Sequence, residues 1–492
     1  MCSSPRATRC MRSASSGSAV VVGIVFIVIA GICRTGSLAP AYAAEEGSRT
    51  ARAMTLADAL PVLHALGERV PEPLRVSLLT EATWSKWVAR RDADIRSRLD
   101  KGDEDSLVNL MLYGTTFTRQ PRATPEDLAT AEKKRADDVM RDRLIDLATA
   151  IESPGRDERL QFARHVVERH GLTVGSQSRG QTRTYLEQLR SRVLAETKRY
   201  VNRLSPVAFA SDAERHESSA TVYRDRGLSS DTSLRVNFAL DQALAALRDR
   251  RQLARPVMNR VAVIGPGLDF IDKAQGYDFY PVQMIQPFAI ADSLLRLGLA
   301  TRPSVTAFDI SPRILAHVRQ MHQRATRNEP YRLNLVLEQD TRTAQTEPGL
   351  IEYWERFGAQ IGAPIPADVP NAFATRVRAR AIVVRPRVVL DVTGKELDVV
   401  VGRVASVPDG AFDAIVATNV LVYYDAFEQA LAVANMANML ARGGVLLTNQ
   451  PVPLPAAAGL SATLIASVDF DHVITAAGSH QRGDSIYAYT KR

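Results

Sequence analysis

Two buried-strand patterns flank one amphipathic helix between Phe412 and Asn449, and this stretch organises the reading of the whole chain. Ala414–Ala417 is a short apolar run, Ala426–Leu440 repeats apolar residues at helical spacing, and Arg442-Gly443-Gly444 precedes the apolar run Val445–Leu447. A strand, helix, strand unit of this kind predicts parallel strands buried on both faces. Upstream, Thr55 to about Leu247 reads as helix, with pieces over Leu56–Leu66, Leu74–Val88, Ala129–Ile151 and Tyr185–Leu204. Another helix is expected from about Leu234 to Arg248. The period changes after Pro256: Val261–Ile264 and Val305–Phe308 read as compact strands, and helices are expected from Met284 to Leu297 and from Ser311-Pro312 to about Arg324. Two runs compete for the next strand, Leu333–Leu337 and Val388–Val392. Ser461–Val468 and Ser485–Tyr489 predict a closing antiparallel pair.

These elements give an α/β fold, a Rossmann-like, mostly parallel sheet over 256–492, preceded by an all-α domain over 44–250. With 492 residues, 46% of them hydrophobic, the chain can bury more than one core. Residues 1–43 read as a signal peptide: Arg6, Arg9 and Arg12, an apolar run from Ala19 to Cys33, then Ala41-Tyr42-Ala43. Cleavage after Ala43 would export the protein to the periplasm or cell envelope. An uncleaved anchor is the rival, although its run is shorter than the roughly 20 residues that span a bilayer; a start assigned too far upstream would leave the protein cytoplasmic.

The leader holds four of the 62 basic residues and none of the 54 acidic ones, so the formal charge of +8 falls by half in the remainder. That balance gives no field for nucleic acid, and contact with a membrane is expected only through an uncleaved leader. All three cysteines precede Arg34, which leaves the folded part without thiol chemistry. The histidine pairs His165/His170 and His317/His322 are five apart and splay around a helix, so no metal is expected.

Gly265-Pro266-Gly267 bends the chain at the end of the first strand, where glycine lets backbone come close to a ligand. Asp309 ends the second strand and is followed by Ile310; a carboxylate there can accept from both hydroxyls of a ribose. Glu338-Gln339-Asp340 offers polar side chains to an adenine edge, and Thr418–Asp425 lies at the carboxyl edge of the sheet, where open α/β folds place ligands. Phe270–Gln283, with Tyr277, Phe279 and Tyr280, is a lid or a packed loop. Gly114-Thr115-Thr116 reads first as a helix terminus and second as a loop reaching the neighbouring domain. Arg226 beside Ser230 and Asp231 reads as surface capping or as closure over an anion, and the arginines from Arg376 to Arg387 as a solvated face.

Strand, Gly-Pro-Gly, acid on strand two, FDAIVATN, MLARGGVLL and a terminal antiparallel pair together resemble the class I S-adenosylmethionine-dependent methyltransferases over Pro256–Arg492. Within that superfamily FDAIVATNVLVYYD and MLARGGVLL are similar to the chemotaxis-receptor glutamate methyltransferases. The resemblance implies S-adenosylmethionine as cofactor, with Gly265, Pro266 and Gly267 beside its methionine part, Asp309 and Ile310 at the ribose and Asp340 near the adenine. It implies Asn419, Val420 and Tyr423 beside the reacting methyl, Asn419 and Tyr423 as the catalytic pair, and a carboxylate acceptor, which is ionised at neutral pH without help; on the sequence alone the acceptor, protein or small molecule, stays unidentified. Val263 stands where the family has an acid, Asp269 where it has a third glycine, and the interval between strands two and four is long. Two rivals share the glycine bend and the acid: an NAD-dependent oxidoreductase, which wants glycine where Phe270 stands, and an exported nucleoside-binding scaffold without turnover.

Overall fold

A computed structural model describes residues 51–75, 78–122, 133–204, 227–228, 234–271, 277–339, 344–404, 411–455, 458–475 and 478–492. The leader, Arg226, Ser230, Asp231 and Asp340 lie outside the described residues. Strands are β1 Ala51–Ala53, β2 Arg260–Ile264, β3 Ser304–Asp309, β4 Tyr331–Glu338, β5 Ala344–Thr346, β6 Gly362–Ile365 and β7 Val377–Val384. They continue as β8 Val392–Glu396, β9 Gly402–Val404, β10 Phe412–Ala417, β11 Leu440–Thr448, β12 Leu460–Thr475 and β13 Gly478–Lys491. Helices are α1 Leu56–Leu66, α2 Glu81–Tyr113, α3 Lys133–Ala150, α4 Glu158–Arg169, α5 Arg179–Leu204 and α6 Leu234–Asp249. After β2 come α7 Gln286–Arg296, α8 Pro312–Thr326, α9 Pro348–Arg356, α10 Pro386–Leu390 and α11 Ala426–Met439. Among the described residues no helix is long and apolar enough to cross a membrane.

The main sheet runs β5-β12-β13-β11-β10-β2-β3-β8. Strands β8, β3, β2, β10 and β11 are mutually parallel, whereas β13 pairs antiparallel with both β11 and β12. This is the Rossmann-like, mostly parallel sheet that the hydrophobic pattern predicts, closing on a reversed hairpin. Every residue of β10 is buried, as expected of a parallel strand covered on both faces. Opposite it, β11 bulges: Phe412 pairs with Leu440 but Ala414 with Val445, so Ala441-Arg442-Gly443-Gly444 loops out before the ladder resumes.

The competition for the third strand is decided for Val392–Glu396, one turn beyond the run that sequence suggested, while Val388–Leu390 belongs to the short helix α10. Leu333–Leu337 instead lies in a separate three-stranded antiparallel sheet, β4-β7-β6. The reason is visible in its burial: β4 alternates buried and half-exposed residues, which suits a sheet covered on one face. Arg378 and Arg380 of β7 lie opposite Leu337 and Leu335 on the covered face, where the half-buried Arg380 donates to the carbonyls of Trp354 and Glu355 and lies over the Trp354 ring, so the arginine run is not simply a solvated face.

The helical half does not form one body apart from the sheet. Met54, Val62, Leu63, Trp84 and Ile95 from β1, α1 and the first half of α2 share a core with β10 and α11. On the opposite face α6 packs with α7, β2 and β13. A third core joins the second half of α2 to α3, α4 and α5, and Phe270 and Ile271 of the loop after β2 insert into it. The composition change near Arg248 therefore marks where strands begin rather than where a core ends.

Polar contacts bolt the layers together. Arg91 of α2, only 4% exposed in its side chain, bonds both Asp398 after β8 and Glu428 of α11 and lies over the Tyr424 ring. Burial of the Arg91 cation is tolerated because two carboxylates flank it; removing the cation strands both. Arg91→Ala is expected to destabilise the fold by about 3–5 kcal/mol, read from urea unfolding, whereas Arg96→Ala on the exposed side of the same helix should change it by less than about 1 kcal/mol.

Candidate functional site

Where β2 ends, the chain turns through Gly265 at φ 63° and Gly267 at φ 65°, a left-handed conformation open to glycine at little cost. The Gly265 amide donates to Phe308 O at 2.8 Å, continuing the β2–β3 ladder one residue past the strand. That bond puts the bend beside Asp309, about one strand spacing (~4.8 Å) away. A methyl added at Gly265 would come within 2.5 Å of Val420 Cγ2, so the loop after β10 packs directly on the bend. The structure thus puts Gly265, Asp309 and Val420 beside one another at the carboxyl edge, with the buried Pro266 and Gly267 and the half-buried Ile310 next to them in the chain.

Asp309 accepts from the Ser311 amide at 2.7 Å and from the Ile310 amide, both at the start of α8. These donors and the guanidinium of Arg313 favour its charge, but burial outweighs them and pushes its pKa up to about 7. The residue as a whole is half-buried while protein packs densely round the carboxyl. A carboxylate satisfied by two amides retains lone pairs for two hydroxyl donors, the chemistry of a ribose diol. The donor set and the bend therefore fit a nucleoside with an extended tail. Strand β4, which leads toward Asp340, belongs to the small sheet, and its last residue, Glu338, is engaged by Arg122 at 3.1 Å and by the Tyr277 hydroxyl at 3.4 Å.

Asn419 adopts φ 59° and is exposed. Its amide donates to Asn449 Oδ1 at 2.8 Å, and Asn449 Nδ2 donates back to Asn419 Oδ1 at 2.7 Å. This mutual pair fixes the rim; the Asn419 carboxamide NH2 has no partner among the described residues. Tyr423 and Tyr424 are both buried, 7% and 4% exposed, in the core between α2 and α11. The Tyr423 carbonyl accepts from Arg98 at 2.8 Å. Of the two residues read as reactive, Asn419 thus stands open at the rim and Tyr423 is part of the packing beneath it.

The helical layer covers the same edge. Thr115 and Thr116 bond the buried Asp278 carboxylate of the insert, through amides at 3.0 and 3.3 Å and through both hydroxyls. Gly114-Thr115-Thr116 is therefore the loop that reaches across, not a plain helix end. Arg159 donates to the carbonyls of Phe270 and Tyr280, and Glu158 accepts from the Val282 amide at 3.0 Å, so the described ends of the insert are packed and stitched to α4. Asp103 of α2 holds Arg169 at 2.9 Å, with Arg313 at 3.6 Å, and Arg313 stacks over Phe162 and Phe270.

Sequence reasoning missed Gln286, Asn449 and Asp484. Gln286, 2% exposed, donates to Thr418 Oγ1 at 2.9 Å. A signal for Asn449 was present: β10 and β11 each end in Thr-Asn, and Ala417 pairs with Thr448. With Ala417 opposite Thr448 the two asparagines stand one residue out of step at neighbouring strand ends, within reach of each other's carboxamides.

No family model matches the chain, and no curated protein matches it. Solved structures similar to it include the magnesium protoporphyrin IX methyltransferase of Synechocystis PCC 6803 with bound SAM, at 11% identity and a TM-score of 0.24, covering 52% of this chain and 81% of that one. Another is an O-methyltransferase from neocarzinostatin biosynthesis in complex with S-adenosyl-L-homocysteine and 1,4-dihydroxy-2-naphthoic acid, at 13% identity and a TM-score of 0.23, covering 76% and 100%. A TehB-like SAM-dependent methyltransferase from Corynebacterium glutamicum is 11% identical with a TM-score of 0.22, covering 61% and 99%. Superpositions this loose carry no inference; the fold rests on strand order and direction.

Two outcomes follow from the site. Gly265→Ala should cost about 2–4 kcal/mol, combining left-handed strain with overpacking against Val420; in a double-mutant cycle Val420→Ala should recover the overpacking share, and additive effects would contradict the contact. The second concerns Asp309. Its folded pKa lies above the unfolded value of about 4, so the folded state holds the proton more tightly and loses stability as pH rises from about 4 to about 7. Asp309→Asn is therefore expected to stabilise the ligand-free protein above pH 7 by about 1–3 kcal/mol, with little effect at pH 4, as thermal unfolding at the two pH values will reveal.

Proposed function

We propose that the protein is an S-adenosylmethionine-dependent methyltransferase whose acceptor is unidentified. One observation carries the reading: a carboxylate with vacant acceptor capacity ends β3 directly beside the Gly265–Gly267 bend, in a sheet that closes with a reversed strand next to β11. Asp309 would take the ribose hydroxyls, the glycine bend would let the methionine tail lie against backbone, and Asn419 would border the reacting methyl. A sulfonium methyl is already electrophilic, so when bound it supplies the leaving group without help from a protein acid.

The chain's own work is then positioning. Holding donor and acceptor in line contributes up to about 7–11 kcal/mol, and the Asn419–Asn449 pair supports that role by fixing the rim. Tyr423, packed below the rim and tied to Arg98 through its carbonyl, would hold the rim's backbone in place. The carboxylate acceptor belongs to the finer likeness to glutamate methyltransferases and rests on the strand-four motif alone. Export through the leader remains part of the proposal; because the methyl donor is made in the cytoplasm, peptide mapping of the mature N-terminus bears on whether an exported form turns over.

Calorimetric titration of the purified full chain with S-adenosylmethionine tests the reading. Saturable binding is expected, lost by about tenfold or more in Asp309→Ala, as befits removal of a charge-assisted hydrogen bond. Saturation by NAD with no response to S-adenosylmethionine would replace this function with oxidoreduction. Binding of neither would leave a scaffold.

A further inference from the structure

A long hairpin extends past the carboxyl edge of the sheet. β13 pairs with β11 only through Tyr487–Thr490, while its residues Gly478–Ile486 continue past the carboxyl edge in register with Ala466–Thr475 of β12. β5 widens this part by pairing Ala344–Thr346 with Asp471–Val473. At the point where the hairpin leaves the sheet stands Asp484. Its Oδ1 accepts from the Ser485 amide at 2.9 Å and its Oδ2 from Asn449 Nδ2 at 3.2 Å. The same Asn449 nitrogen bonds Asn419 Oδ1 at 2.7 Å, so one carboxamide joins the rim of the crevice to this carboxylate.

Nothing in the fold requires an acid there. The neighbours of Asp484 along the strand are Gly483 and Ser485, the residue opposite it is Val468, and no cation bonds Asp484 among the described residues. Burial with only two neutral donors pushes its pKa up to about 6, so the group is held ionised near neutrality at a cost to the fold. Together with Gln286, Thr418, Asn419 and Asn449 it completes a polar row along the ends of β10, β11 and β13, where the apolar core would otherwise reach the edge.

We infer that Asp484, presented through Asn449 beside Asn419, is the acceptor-recognition residue of this site and selects a basic amine rather than a carboxylate. The inference rests on the methyltransferase reading and gives its acceptor a chemical class. A second carboxylate brought beside Asp484 would meet an uncompensated like charge, whereas an ammonium group supplies the missing cation and donates to its free lone pairs. In the transfer itself the ammonium first gives one proton to the Asp484 carboxylate or to water; the neutral nitrogen then forms the N–C bond with its lone pair while the C–S bond breaks and its electron pair stays on sulfur, and the product is the N-methylammonium.

Two probes matched in shape and opposite in charge test this, 2-phenylethylamine and 3-phenylpropionate, titrated into the full chain saturated with S-adenosylhomocysteine. The amine is expected to bind about tenfold or more tightly than the acid, the difference one charge-assisted contact makes. Asp484→Asn should erase that preference while S-adenosylhomocysteine affinity stays unchanged; a merely structural Asp484 would not move the charge preference. Equal binding of the two probes, binding of neither, or a preference that survives Asp484→Asn overturns the inference while leaving the methyltransferase reading intact. The wild-type comparison decides even where the variant fails to fold. Failure of S-adenosylhomocysteine itself to bind takes both readings down.

Discussion

The hydrogen bond from the Gly265 amide to Phe308 O is the constraint on which the rest of the site depends. It extends a parallel ladder by one residue past the point where the chain must turn, and so it holds the bend and the Asp309 carboxylate at neighbouring strand ends. Val420 then closes on the bend from the other side, in the space that a side chain at Gly265 would fill. Strand pairing, a left-handed glycine and a loop contact fix the same few atoms.

Around that core the chain spends its buried charge on attachment. Arg91 ties α2 to the loop after β8 and to α11, Arg98 holds the rim backbone at Tyr423, and Asp278 receives Thr115 and Thr116. Each is a polar group taken out of water and bonded across an interface, which gives orientation more than net stability. The helical layer is thereby held to the carboxyl edge, and the loop after β2 is fastened into the core of α2 to α5 instead of swinging free. Asp309 and Asp484 are different: burial raises the pKa of both, neither has a bonded cation among the described residues, and both lie at or just past the carboxyl edge of the sheet. Carboxylates kept costly in this way are where a ligand gains most by supplying the missing donors.

Much of the architecture was legible along the chain. The apolar run Phe412–Ala417, the helical spacing after Ala426 and the paired runs near the end of the chain depend on local periodicity, and periodicity survives folding. So does the glycine bend, because positive φ is a local demand. The third strand was not legible. Val392–Glu396 is an edge strand with one buried valine at its start and glycine and lysine within it, whereas the stronger alternating pattern of Tyr331–Glu338 was taken by β7.

The sequence by itself determined the sheet's parallel core, the bend at Gly265 and the acid at Asp309, since each is set by residues adjacent in the chain. Only the tertiary structure decided that Tyr423 goes beneath the rim, that Thr115 and Thr116 cross to Asp278, and that Asn419, Asn449 and Asp484 meet. Those contacts join residues far apart in the chain, and what brings them together is the order in which strands pair, a choice settled by the burial of whole faces and not by any single segment.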